Sequence, residues 1–213
     1  MKPVDALSQL CAMASPALGA PDLPGISMGL HSLHLRSLSE LLLIRNGFYA
    51  LSQALHVYPL AGGAANDCLL SWNSTELWRA EYGELTDDLF FFAADIFGGQ
   101  FCLTRSGIGV FNPETAEVEV IASSLEEWAR AILDPSRGNI LTGYTLSVEW
   151  QRKHGQLSAG NRLVPKIPFI FGGKYEVDNL FQLDAVKAMH FYGFLARKTH
   201  GLPDGSKIIL RVT

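Results

Sequence analysis

Residues 25 to 29, Gly25-Ile26-Ser27-Met28-Gly29, have the G-x-S-x-G spacing of a serine-hydrolase nucleophile elbow. That chemistry needs a buried strand before the serine and a helix directly after it. Ser27 instead follows "SPALGAPDLP", which cannot be a strand, so it reads as a loop residue and a Ser27 hydrolase is only a remote alternative. His31 and His34 form an H-x-x-H pair, but zinc needs a third and usually a fourth ligand, and none lies at a spacing such as HExxH. No metal site is expected. Gly98-Gly99 could cradle a phosphate if it led into a helix N-terminus. The β-type run "QFCLT" follows it instead, which makes the pair a hairpin turn.

Glu81, Glu84, Asp87 and Asp88 form the densest acidic segment. Two carboxylates across a cleft can serve as acid and base, but an acidic surface that steers a cationic partner demands less geometry. A docking role is therefore expected for these four, with the neighbouring Trp72 and Trp78 as aromatic contacts. Asn73-Ser74-Thr75 is a formal glycosylation acceptor that, without secretion, reads as a helix cap.

The elements that must position these residues follow from periodicity and turn chemistry. A weak helix spans 4–13, and a second, capped by Ser37 or Ser39, ends at Asn46-Gly47. "FYALSQALHVYPL" supplies two short strands. "SWNSTELWRAEYG" predicts a helix with an Asn73/Glu76 capping box and Trp72, Leu77 and Trp78 on one face. Strands at 89–94, 100–104, 108–111 and 118–122 are joined by hairpin-sized connections, which predicts an antiparallel meander. Ser123 with Glu126, and Ser124 with Glu127, both fit a capping box for a helix that lays Trp128 on the sheet. Beyond Pro135 the pattern predicts a helix over 141–153, a proline-broken stretch, a helix over 184–200 with Val186, Met189 and His190 in its buried stripe, and a strand over 207–212.

The chain has 213 residues, 48% of them hydrophobic, which is enough for one cored domain with an extension. Its apolar runs are too short to cross a bilayer, the N-terminus lacks the pattern of a secretory signal, and a cytoplasmic protein is expected. Cys11, Cys68 and Cys102 show no CxxC pair and read as small buried hydrophobes. The net charge of −4 is unevenly spread: residues 1–134 hold 6 Lys/Arg against 16 Asp/Glu, and residues 135–213 hold 11 against 5. An acidic first part repels nucleic acid and attracts a basic protein. Equally, the two parts could face each other across an internal contact.

The order of a capped helix ending in "RNGF", then "FYALSQALHVYP", then "FFFAADIFGGQFCLTRSGIGVFNPETAEVEVIASSLEEWARAIL" resembles the SUKH superfamily, immunity-type proteins named partly after a yeast cell-wall synthesis regulator. The matching features are Asn46-Gly47, Gly98-Gly99, Phe111 with Val118, and Ser124 to Trp128, within residues 23–134. Residues 1–22 and 135–213 flank this module, and Thr104 stands where the superfamily often has an acidic residue. The resemblance implies an α+β fold, a curved antiparallel sheet flanked by helices, with no catalytic residues and no cofactor. It also implies a protein that binds and neutralises a toxin, frequently a nuclease. A regulatory scaffold is the alternative from the same superfamily, and a homodimer is open.

Overall fold

The computed structural model describes residues 5–20, 33–61, 67–202 and 206. Ser27, His31 and the strand expected over 207–212 lie outside the described residues. The remainder forms an α+β fold around a curved, unclosed antiparallel sheet. Its six strands are consecutive neighbours in the order β1 (Phe48–Ala50), β2 (Leu55–Val57), β3 (Phe90–Asp95), β4 (Gln100–Leu103), β5 (Ile108–Phe111) and β6 (Val118–Ala122). The expected meander is therefore the observed topology. Register shifts between Phe91 and Ala93, and between Ile108 and Gly109, are bulges of the kind that bend and twist a sheet.

One face of the sheet is covered by α1 (Ala6–Ala12), α2 (Leu33–Ile44) and α4 (Leu125–Leu133). On α4 the indole of Trp128 is fully buried, edge-on to Phe92 at 5.1 Å and to Phe101 at 5.5 Å. Ser124 caps this helix by accepting from the Glu127 amide at 3.2 Å, while the Glu127 carboxylate turns back to the Ser123 amide at 2.9 Å. Glu126 is not part of a second box. Its carboxylate accepts from the Ala6 amide at 2.8 Å, placing negative charge at the N-terminus of α1.

Three expectations about helices are corrected. Ser37 and Ser39 lie inside α2, where the Ser39 hydroxyl donates back to the Leu35 carbonyl at 3.0 Å. The helix expected from Asn73 is replaced by α3 (Leu69–Trp72), which ends at Asn73, followed by two 3₁₀ turns, Arg79–Glu81 and Gly83–Thr86. The Asn73 side chain instead caps the C-terminal end of α3, donating to the Leu69 carbonyl at 3.0 Å, and ties it to the sheet by accepting from the Phe91 amide at 2.8 Å and donating to the Phe91 carbonyl at 2.8 Å. Past Pro135, the helix expected over 141–153 starts later, as α6 (Tyr144–His154), and Gly143 at φ +69 separates it from an additional helix, α5 (Pro135–Thr142).

The second face of the sheet carries α3, the 3₁₀ turns and α7 (Ala185–Thr199), with Phe91 and Phe111 meeting Trp78 and Tyr82. On α7, Gly193 sits where a Cβ would come within 2.6 Å of Glu81 Cβ and 2.9 Å of the Tyr82 ring. The glycine that weakens the helix is what lets the acidic turn approach it. His190 is only half-buried, so the stripe of α7 runs through Ala188, Met189, Tyr192 and Ala196 instead. The strands β7 (Asn161–Pro165) and β8 (Leu180–Asp184) pair with each other in a separate antiparallel ribbon. Val164, Ala185, Met189 and Tyr192 belong to the same core as the six-stranded sheet, so β7 and α7 pack on the module.

Candidate functional site

Gly98 and Gly99 form the turn between β3 and β4, as their context predicts. The turn is held from within by Asp95, whose Oδ1 accepts from the Phe97 amide at 2.7 Å and the Gly99 amide at 2.8 Å. Gly98 adopts φ +93, and a Cβ on Gly99 would stand 2.3 Å from Asp95 Oδ2. The glycine pair thus does two separate jobs: one residue reverses the chain, and the other makes room for a carboxylate.

Beside this turn lies a cleft of ≈ 180 Å³ lined by Asp95, Phe97, Gly99, Glu114, Phe169, Tyr175 and Tyr192, among others. Glu114 follows β5 and is almost wholly buried. Its Oε2 accepts from the Ile170 amide at 2.8 Å and its Oε1 from the Phe169 amide at 3.1 Å, anchoring the 3₁₀ turn Phe169–Phe171. Phe169 stacks on Tyr175 at 3.8 Å with the planes 7° apart, and Phe97 stands edge-on to both. Tyr175 is 60% exposed and forms the rim, whereas Tyr192, from α7, is buried and donates to the Phe97 carbonyl at 3.2 Å.

Apolar walls make ionisation costly for these carboxylates. Burial raises Asp95 to about 7, against the opposing pull of its amide hydrogen bonds and of Arg162. It also raises Glu114, again against its two amide bonds. Burial raises both tyrosines, and the two carboxylates add to that effect. The cleft therefore sets two carboxyl groups, both pushed toward the neutral form, among aromatic side chains.

The acidic segment expected to dock a partner lies next to this cleft. Tyr82, between Glu81 and Glu84, donates to the carbonyl of Pro113 in the cleft wall at 2.8 Å. Glu84, Asp87 and Asp88 are exposed; Asp88 pairs with Arg105 at 2.8 Å, and the half-buried Glu81 approaches His190 Nδ1 at 3.3 Å. Arg79 spends its guanidinium on the Asn73 and Thr86 carbonyls and the Thr86 hydroxyl, leaving Asp87 only its electrostatic field.

Trp72 and Trp78 do not join that surface: both indoles are buried, 1% and 0% exposed. Trp72 Nε1 donates to Gln100 Oε1 at 2.9 Å, and the same oxygen accepts from the Tyr58 hydroxyl at 3.1 Å, so this tryptophan organises the core under the hairpin. His34 is half-buried on α2, and no group of three or more metal-ligating side chains occurs among the described residues. Among the cysteines, Cys11 and Cys102 are buried and Cys68 is half-buried.

Asp95 and Glu114 were not among the residues singled out by motif. A sequence signal existed for Asp95, because an aspartate just ahead of a glycine turn is a recurrent way to tie down the loop amides. Glu114 carried no such signal, since its partners are 55 and 56 residues away.

No family model matches this chain and no curated protein matches it. A solved structure, Atu4351 from Agrobacterium tumefaciens, shares the fold at a TM-score of 0.53, with 13% identity over 75% of each chain. Among the described residues, no helix is long and apolar enough to cross a membrane.

Proposed function

We propose that this chain is a non-enzymatic protein-binding module of the cytoplasm, an immunity-type protein that neutralises a basic toxin, with a nuclease the toxin class its charge best suits. The observation that carries the reading is the pairing of an exposed acidic turn with an acidic, aromatic cleft joined to it through Tyr82. Exposed carboxylates attract a cationic protein at long range, and a desolvated acidic pocket rewards close contact. The resemblance of residues 23–134 to the SUKH superfamily supports the same reading. So do the acidic balance of residues 1–134 and the anchoring of the acidic turn on α7 at Gly193.

Co-expression with each candidate toxin from the neighbouring genes provides the test. The proposal expects restored growth and a complex that survives purification. Unrelieved toxicity with every neighbouring candidate, together with no captured complex, would overturn it.

A further inference from the structure

We propose that the cleft between the Gly98-Gly99 turn and the Phe169–Tyr175 stack is a receptor for one organic cation, an alkylammonium or guanidinium head on an apolar stem. Resting on the protein-binding reading above, that head is the tip of a lysine or arginine side chain on the basic partner.

Size narrows the ligand first. Pockets for whole small molecules run to about 300–1,000 Å³. This one, at ≈ 180 Å³, matches the end of a side chain better than a whole small molecule.

Chemistry narrows it further. Two carboxylates in one apolar-walled cleft repel phosphate and carboxylate groups. A hard divalent cation wants about six or more oxygens, and both oxygens of Glu114 are already committed to the Phe169 and Ile170 amides. Asp95 is different. Oδ1 takes the Phe97 and Gly99 amides and the Gly98 amide also acts on the carboxylate, while no side chain among the described residues bonds Oδ2. That oxygen lies against Gly99, another residue of the cleft wall, and is placed to accept an N–H from an incoming cation. The rings of Phe97, Phe169 and Tyr175 supply π density, which attracts a cation within about 6 Å of a ring centroid and gives an anion nothing. Arg162 acts on Asp95 through its field, while its guanidinium donates from Nη1 to the Asn161 carbonyl at 2.7 Å and keeps Nε and Nη2 without a partner among the described residues.

The test is an amide-resolved NMR titration of the full chain with n-butylammonium and with propylguanidinium, against 1-butanol and butyrate as neutral and anionic controls. The cations should shift the Phe97, Gly99, Phe169 and Ile170 amides saturably, and the controls should not. In a titration at about pH 8, above the value of about 7 to which burial raises Asp95, Asp95→Asn keeps an acceptor for the turn and removes the charge, and it should weaken cation binding by about tenfold. Tyr175→Ala, at the exposed rim, is a second variant that does not disturb the core. Equal binding of 1-butanol, undiminished binding by Asp95→Asn, or unmoved cleft amides would each overturn the receptor. Saturable cation binding by a chain that captures no basic protein supports the cleft and removes only the protein-binding reading. A partner held as tightly by Asp95→Asn as by wild type leaves that reading standing and removes the cleft from it.

Discussion

Asp95 and Gly99 share a space that admits only one substituent: the carboxylate Oδ2 of Asp95 stands 2.3 Å from where a Gly99 Cβ would be. Gly99→Ala must therefore turn the Asp95 side chain aside and release the amides of Phe97 and Gly99 that it holds. Loss of these charge-assisted hydrogen bonds should cost about 1–3 kcal/mol in denaturant unfolding. Gly98→Ala acts by another route, the positive φ of +93, and should destabilise by about 1–2 kcal/mol while leaving Asp95 in place. A combined variant whose cost is well below the sum would show that the two glycines do one job.

Asn73 extends the β3 hydrogen-bond ladder at Phe91, where no strand residue supplies the partners. Asn73→Ala leaves a backbone amide and carbonyl unpaired and should lower unfolding free energy by about 2 kcal/mol. Asn73→Asp retains the acceptor alone and should fall between the two. Hydrogen exchange at the Phe91 amide checks the mechanism: it should accelerate most in the alanine variant.

Glu126 ties α1 to α4 by taking the Ala6 amide at 2.8 Å. Glu126→Gln keeps an acceptor but removes the charge at the helix N-terminus, and should cost about 0.5–1 kcal/mol. Glu126→Ala removes both and should cost about 1–2 kcal/mol. Exchange protection should fall in α1 before it falls in the sheet.

The elevated Asp95 makes a pH prediction with a definite sign. Its folded pKa, about 7, lies above the ordinary carboxylate value of 3.8, so the folded state holds the proton more tightly than the unfolded one. The associated stability is fully present below about pH 4 and is lost as pH rises through about 7. Arg162 on β7 opposes the shift, while Glu114 beyond β5, Tyr175 at the rim and Tyr192 on α7 complete the groups facing this carboxyl. Asp67, raised to about 6, contributes with the same sign, and His56, lowered by burial, with the opposite one. The measurement is therefore the difference in unfolding free energy between wild type and Asp95→Asn, which cancels the other groups. That difference should favour wild type least above pH 7 and increasingly so toward pH 4; a difference independent of pH would show that Asp95 titrates normally.

Local signals located β3 to β6 because each connection between those four strands is short, whereas β2 and β3 are joined through α3 and both 3₁₀ turns. The turn residues at Gly98-Gly99, Gly107 and Asn112 are read in the same few positions where they act, and Ser124 caps α4 within three residues of its partner. The failures share a different cause. Asn73 has helix-cap chemistry, but it closes the C-terminal end of α3 and its side chain is also claimed by Phe91, 18 residues on. Glu126 has capping-box spacing, yet the amides it serves are 119 and 120 residues away. Trp72 and Trp78 sit in an acidic, polar stretch that reads as surface, and only tertiary packing against Phe91 and Gln100 puts them inside. The cleft was hidden for the same reason: its carboxylates come from β3 and the end of β5, and its aromatic stack from the proline-broken segment after β7.

Association kinetics with the basic partner test the central claim most directly. Replacing Glu84 and Asp87 together by lysine changes two exposed side chains outside the core. The double variant should bind about tenfold more slowly at low ionic strength, with a shallower salt dependence and a dissociation rate close to wild type. An association rate equal to that of wild type at every salt concentration would contradict docking through the acidic turn.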